Sequence, residues 1–275
     1  MPNDKLVAIS GIAKSYQSVF RSDYVAGLWK SNLCQNLCWY SRNNLERIST
    51  YRAPSWSWAS VDGGVRYCFF SIYKELVEVV SIYTAPVTRA NPHGAIWDSR
   101  IQLIGWVFPA FHRGCTSCET QRVGNYKRHR IAPFSWICDT SFSDTLDGVH
   151  FTAHIDSKKL ERTIALTLLK VPSPEIVECF ILPVASEKSG LLYCLLLAAV
   201  TPSRSVYQRI GLLQVNFSLP HHQEWAASKY LPKESERGSE ELVSCVLSYM
   251  IQKYRRCKVP SYEGDILEQH QITLI

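Results

Sequence analysis

The sequence predicts an α+β fold, in which a helical segment over residues 1–50 leads into a mainly antiparallel β domain over residues 51–275 carrying two late helices. Three observations predict it. Leu6, Ile9, Ile12, Ala13, Tyr16 and Val19 recur at helical spacing near the start. From Tyr51 onward, runs rich in Val, Ile, Leu, Tyr and Phe alternate with breaks that contain proline or glycine. Leu242, Val246, Tyr249 and Met250 then return to the helical period.

Taken in order, residues 4–20 read as one amphipathic helix with Asp4 as its N-cap. Gly11 in its middle costs roughly 1 kcal/mol against alanine, which close packing on a neighbour would explain. Ser22 or Asp23 is expected to cap a second short helix through Trp29, and Asn32 a third covering Leu33, Leu37 and Trp39. Residues 42–50 are polar and connect. Strands are expected over 74–83, 100–108, 149–155, 164–170, 176–183, 191–200 and 206–217, with 271–275 closing the sheet. The alternation of Val149, Phe151, Ala153 and Ile155 with His150, Thr152 and His154 is the clearest of these. Pro86 to Gly94 reads as a loop and 113–130 as a polar excursion. The late helices are expected over 223–230 and after Ser239. Lys253, Arg255 and Arg256 stand at the end of the second, where the helix dipole favours cations.

The stretch Tyr51 to Gly63 carries the most information. Pro54 fixes its own φ and pushes Ala53 into the extended region. Read as a strand, the stretch places Trp56 and Trp58 on one face and Ser55 and Ser57 on the other. Asp62-Gly63 is a hairpin signal, because both central residues of a type I′ turn need positive φ, and residues 65–70 would return. No charge interrupts Ser55 to Val61, so the indoles are expected in the core, each removing on the order of 200 Å² from water. Exposed, the same pair would stack on a sugar, base or cation.

This stretch resembles the pattern found just downstream of the HET domain in fungal heterokaryon-incompatibility proteins. Asp4 to Ala13 resembles that family's "DKL-x-A-x-SGIA" helix, and Tyr24 to Trp29 its "Y-x-AGLW" element. Tyr207 to Leu213 and Ile272 to Ile275 resemble its closing strands. Gly64 departs from the family's usual proline. The aromatic-rich signature that opens a HET domain has no counterpart before Asp4, so the chain is expected to be the downstream part of such a protein.

Composition sets outer bounds. Of 275 residues, 46% are apolar and 20% charged, which fits a globular chain and excludes a disordered one. The formal charge of +6 is spread along the chain and falls short of a nucleic-acid footprint. The first residues are polar where a secretory leader needs an apolar core, and Leu191 to Val200 is about half a membrane span. With ten cysteines and no leader, reduced thiols and a cytoplasmic location are expected. Neither a membrane nor a nucleic acid is expected as a partner.

Candidate chemistry is sparse. His112, Cys115 and Cys118 form the one metal candidate, since a C-x₂-C pair can hold two corners of a tetrahedral zinc. A structural site ordinarily adds a second close pair, and none follows, so a polar loop with incidental cysteines is the favoured reading. Cys34 and Cys38 share a helical face and are read as core. His150 with His154, and His221 with His222, lack ligands at suitable spacing. No G-x-S-x-G elbow and no glycine-rich phosphate loop occurs, so no catalytic residue and no cofactor site is assigned. The resemblance implies a non-catalytic scaffold or regulatory region in fungal non-self recognition and cell death, with a HET domain, in cis or in trans, or another protein as partner. It allows two alternatives: part of a TIR-like NAD-consuming effector whose catalytic module lies elsewhere, or a truncated copy without independent function.

Overall fold

The structure, a computed structural model, describes residues 4–40, 46–47, 50–68, 72–112, 128–132, 135–137, 141–146, 149–156, 177–189, 191–201, 205–217 and 269–275. Helix α1 (Lys5–Phe20) buries Leu6, Ser10 and Ala13 and stops at Arg21, whose left-handed φ of 48° turns the chain out of the helix. Asp4 occupies the N-cap position, but its carboxylate makes no capping hydrogen bond.

The chain then forms β1 (Tyr24–Val25) and β2 (Leu28–Trp29), paired antiparallel with Tyr24 opposite Trp29. The helix expected here does not form. Ala26 and Gly27 both sit at positive φ, 48° and 99°, which is what a two-residue hairpin turn requires and what a helix forbids. A 3₁₀ turn over Lys30–Asn32 leads into α2 (Leu33–Leu37), followed by β3 (Trp39–Tyr40) and β4 (Glu46–Arg47). Among the described residues before 40, α1 and α2 are therefore joined by a hairpin and a 3₁₀ turn where the second short helix was expected.

The tryptophan stretch differs as well. Instead of a strand it makes a turn and a 3₁₀ turn over Trp58–Ser60, then β5 (Val61–Asp62) and β6 (Arg66–Tyr67). Gly63 has the positive φ, 116°, expected of an Asp-Gly turn. The strands on either side do not pair with each other: β5 pairs with β4, and β6 with β3. Drawing β6 to β3 sets Tyr67 opposite Trp39, and Val61, Val65 and Tyr67 pack around that fully buried indole.

The remaining strands are β7 (Lys74–Glu75), β8 (Val77–Pro86), β9 (Ile96–Gly105), β10 (Phe108–His112), β11 (Arg128–Ala132), β12 (Ser135–Ile137), β13 (Ser141–Leu146), β14 (Val149–Ile155), β15 (Val177–Ser186), β16 (Leu192–Ala199), β17 (Val206–Phe217) and β18 (His270–Leu274). They form one sheet of twelve in the order β12-β11-β10-β15-β16-β17-β18-β9-β8, with β14 and β13 branching from β17, and β7 on β15. All these pairings are antiparallel except β17 with β18. The long β17 divides one of its edges, offering residues 206–207 to β18 and 211–217 to β14.

The α+β expectation is thus corrected to a β-dominated fold, whose two α-helices among the described residues both precede residue 40. The segments expected as late helices, 223–230 and beyond Ser239, lie outside the described residues, as does the expected strand over 164–170. No helix among the described residues is long and apolar enough to cross a membrane.

One hydrophobic cluster runs from Leu6, Leu28, Leu37 and Trp56 through Ile101, Leu103, Leu182, Leu195 and Tyr207 to Ile272 and Leu274. A bulge at Ile210 shapes its centre: Leu196 pairs with Gly211 while Leu197 pairs with Arg209. The extra residue switches strand parity, so that Tyr207 and Leu212, five apart, enter the same cluster. Arg209, just before the bulge, reaches α2 and β3 with its guanidinium.

Candidate functional site

Two constellations stand out, a buried arginine node and an open groove, and residues 52–62 lie between them. Arg52 holds that stretch in its turn, donating from Nε to the Ala59 carbonyl at 2.6 Å, from Nη2 to the Val61 carbonyl at 3.0 Å and from Nη1 to Asp62 Oδ1 at 2.9 Å. The Pro54 carbonyl accepts from the Ser57 amide at 2.9 Å. Ser57 Oγ accepts from the Ala59 amide and donates to the Ala26 carbonyl at 2.6 Å, while Trp58 Nε1 donates to the Gly27 carbonyl at 2.8 Å. These bonds lock the β1–β2 hairpin onto the turn. Because the chain is turning, the two indoles do not share a face. Trp56 is fully buried, and Trp58 is half-buried at the edge of the groove.

The node centres on Arg209, which is 0% exposed. Its Nε donates to Asp156 Oδ2 at 3.0 Å and its Nη2 to Asp156 Oδ1 at 3.2 Å, a two-point pairing with a carboxylate that is itself 1% exposed. Nη1 donates to the Leu37 carbonyl at 2.6 Å, at the end of α2, and Nη2 also to the Trp39 carbonyl. The guanidinium lies 3.6 Å from the centre of the Trp39 ring. Trp39 Nε1 donates to the Trp56 carbonyl at 2.8 Å. The Arg209 amide donates to Ser55 Oγ at 2.9 Å, and that hydroxyl donates to the Ile275 carbonyl. A single residue therefore ties together β17, the end of β14, α2, β3 and, through its amide and Ser55, Ile275 at the end of β18. Sequence reasoning missed it. The available signal was Arg209 as the one charged residue of the strand expected over 206–217, directly before the apolar run Ile210 to Leu213.

The groove lies along α1. The helix is pinned on one side by Asn91 Nδ2 donating to Ser10 Oγ at 3.1 Å and by His93 Nε2 against Gln17 Oε1 at 3.1 Å. Next to that side, Ile9, Ile12, Tyr16 and Phe20 form a wall facing Trp58, Val65 and Tyr67, with Tyr24 and Trp29 between, around a hollow of about 600 Å³. Its rings touch in series: Tyr16 with Phe20 at 5.8 Å, Phe20 with Trp29 at 4.8 Å, and Trp29 with Tyr24 at 4.9 Å. Ile12, Tyr16 and Phe20 remain 59%, 50% and 49% exposed, and Val19 70%.

Thiol and metal chemistry find no centre among the described residues. Burial pushes Cys34 up to about 12, with Glu75 adding to it, and Cys68 up to about 11; burial likewise raises Cys38 and Cys194 well above the usual thiol range. At neutral pH all four are protonated, and without thiolate character they act as small apolar side chains. No group of three or more His, Cys, Asp or Glu side chains is placed to hold a metal ion among the described residues. His112 ends β10, opposite Val177 and Ile131, whereas Cys115 and Cys118 lie outside the described residues. The chain matches no protein-family model, curated protein or solved structure.

Proposed function

We propose that this chain is a scaffold or regulatory region of a HET-type protein, non-catalytic, that acts in fungal non-self recognition by docking a HET domain in cis or in trans. The observation that carries this reading is the unpaired apolar flank of α1. A helix embedded along Leu6, Ser10 and Ala13 nevertheless leaves Ile12, Tyr16, Val19 and Phe20 open to water. Contiguous exposed apolar surface of this kind is characteristic of a protein contact. Resemblance in the helix, in the Tyr24 to Trp29 element and in the tryptophan stretch supplies the family context. Co-expression of the chain with the HET module of such a protein tests it. The pair is expected to co-purify, and Tyr16→Glu is expected to release it. Independent elution of the two, with the wild-type groove intact, refutes the reading.

A further inference from the structure

The groove along α1 holds hydroxyls that nothing satisfies. Tyr24 lines the hollow at only 9% exposure, and its hydroxyl has no hydrogen-bond partner among the described residues. Burial raises this phenol well above its usual range, and the nearby Tyr67 phenol raises it further. Tyr67 lines the same hollow, is pushed up to about 12 by burial, and also lacks a hydroxyl partner among the described residues. Both therefore keep their protons at neutral pH and are able to donate. Neither hydroxyl is sealed inside the protein, as Trp56 Nε1 is, so both are open to an incoming group. Asn36 uses its Nδ2 on the Trp29 carbonyl at 3.0 Å, which leaves its Oδ1 in the same lining as an acceptor.

The rest of the lining selects for a ring. Tyr16, Phe20, Trp29 and Tyr24 touch in series with centroids 4.8–5.8 Å apart, and Trp58 and Tyr67 stand opposite. An aromatic occupant makes edge and offset contacts there that an aliphatic one does not. No charged side chain lines the hollow among the described residues, so an ionised occupant would lose its water without gaining a counter-ion. Two open phenols and an amide oxygen call for a tip that both accepts and donates; a hydroxyl does both, whereas an indole N–H only donates. We infer that the groove is a slot for an aromatic side chain tipped with a hydroxyl, which among the natural side chains is tyrosine, supplied by the docked module. This inference rests on the docking reading above and names the anchor through which the partner is held. Buried aromatic anchors of this kind carry much of the energy of a protein contact.

The test titrates the full chain with three soluble probes, the N-acetyl amides of tyrosine, phenylalanine and leucine, followed by saturation-transfer NMR. The expected order of affinity is tyrosine, then phenylalanine, then leucine, with tyrosine about fivefold ahead of phenylalanine. Tyr24→Phe/Tyr67→Phe keeps both rings and removes both hydroxyls. It is expected to erase the tyrosine advantage and to leave the phenylalanine probe unchanged. Ile12→Glu/Tyr16→Glu, at positions 59% and 50% exposed, is expected to weaken all three probes about tenfold while the circular dichroism spectrum stays the same. Four results overturn the inference: tyrosine no tighter than phenylalanine, a preference that survives Tyr24→Phe/Tyr67→Phe, leucine equal to phenylalanine, or binding of no probe. A chain that sediments as a dimer, and as a monomer once Ile12→Glu/Tyr16→Glu is introduced, overturns it as well by making a second copy the occupant. With HET-module binding retained, any of the four ends this inference alone. A HET module that elutes independently ends the reading beneath it, and this one with it.

Discussion

Replacing Arg209 by methionine keeps the stem of the side chain and removes its charge. Three things are then left exposed to the consequences. The Asp156 carboxylate, 1% exposed, loses its counter-ion. The Leu37 and Trp39 carbonyls lose a donor, and the Trp39 ring loses a cation 3.6 Å from its centre. Breaking a buried pair from one side costs about 3–5 kcal/mol, and each orphaned acceptor adds roughly 1–3 kcal/mol where no water reaches it. The carboxylate term dominates, so Arg209→Met is expected to destabilise by about 5 kcal/mol. In a chain of this size that lowers the melting temperature by roughly 10–20 °C. Asp156→Leu in the same background removes the stranded anion and is expected to restore part of the loss, about 2 kcal/mol or more. Thermal and urea melts of both single variants and the double variant close the cycle. A single variant within about 1 kcal/mol of the parent, or a double variant equal to the sum of the singles, refutes the claim that the two charges depend on each other.

Three further outcomes are expected. Trp56→Ala should cost about 3–5 kcal/mol in a urea melt, since the ring is fully buried and nothing fills its place; an unchanged midpoint contradicts its role in the core. Gly27→Ala should cost more than about 1 kcal/mol, because φ is 99° and a β-carbon would stand 2.8 Å from Trp58 Nε1, next to the bond that Trp58 makes to the Gly27 carbonyl; neutral melting would mean the hairpin is held elsewhere. Alkali should weaken the fold in a defined window. Cys34 and Cys68 keep in the folded state protons that the unfolded chain releases from their ordinary value of 9.0, so stability is complete below that pH and falls as pH rises toward about 11 for Cys68 and about 12 for Cys34. A Cys34→Ala chain should decline less steeply across that range in melts taken at each pH; identical slopes sink the assignment.

The sheet was largely legible in the sequence, and the segment that supports it was not. Val149 to Ile155, Leu191 to Val200 and Val206 to Phe217 are long enough for composition and alternation to reveal strands, and β14, β16 and β17 lie there. Residues 22–29 read as helix because capping residues followed by an aromatic give the same local pattern as a hairpin. The difference lay in Ala26 at positive φ, which no propensity signals. The tryptophan stretch has strand-like alternation, yet it turns, because the Arg52 guanidinium gathers the carbonyls of Ala59 and Val61. The arginine node was hidden for another reason. Its partners, Leu37, Trp39 and Asp156, are 172, 170 and 53 residues away. The apolar positions of α1 were read as one amphipathic stripe. The structure divides them between a buried flank and an open one, a distinction periodicity does not contain.

Strand β18 joins two parts of the sheet that are made early and late. Among the described residues, the β8–β9 hairpin connects along the strand order to β17 through it, with Leu103 opposite Ile272 and Ile101 opposite Leu274. During synthesis, residues 96–105 leave the ribosome well over a hundred residues before those partners exist, and through that interval β9 presents a bare backbone edge able to recruit any extended segment nearby. A chain stopped short of residue 270 would lack β18 and keep that open edge, which makes it a substrate for chaperones and proteases.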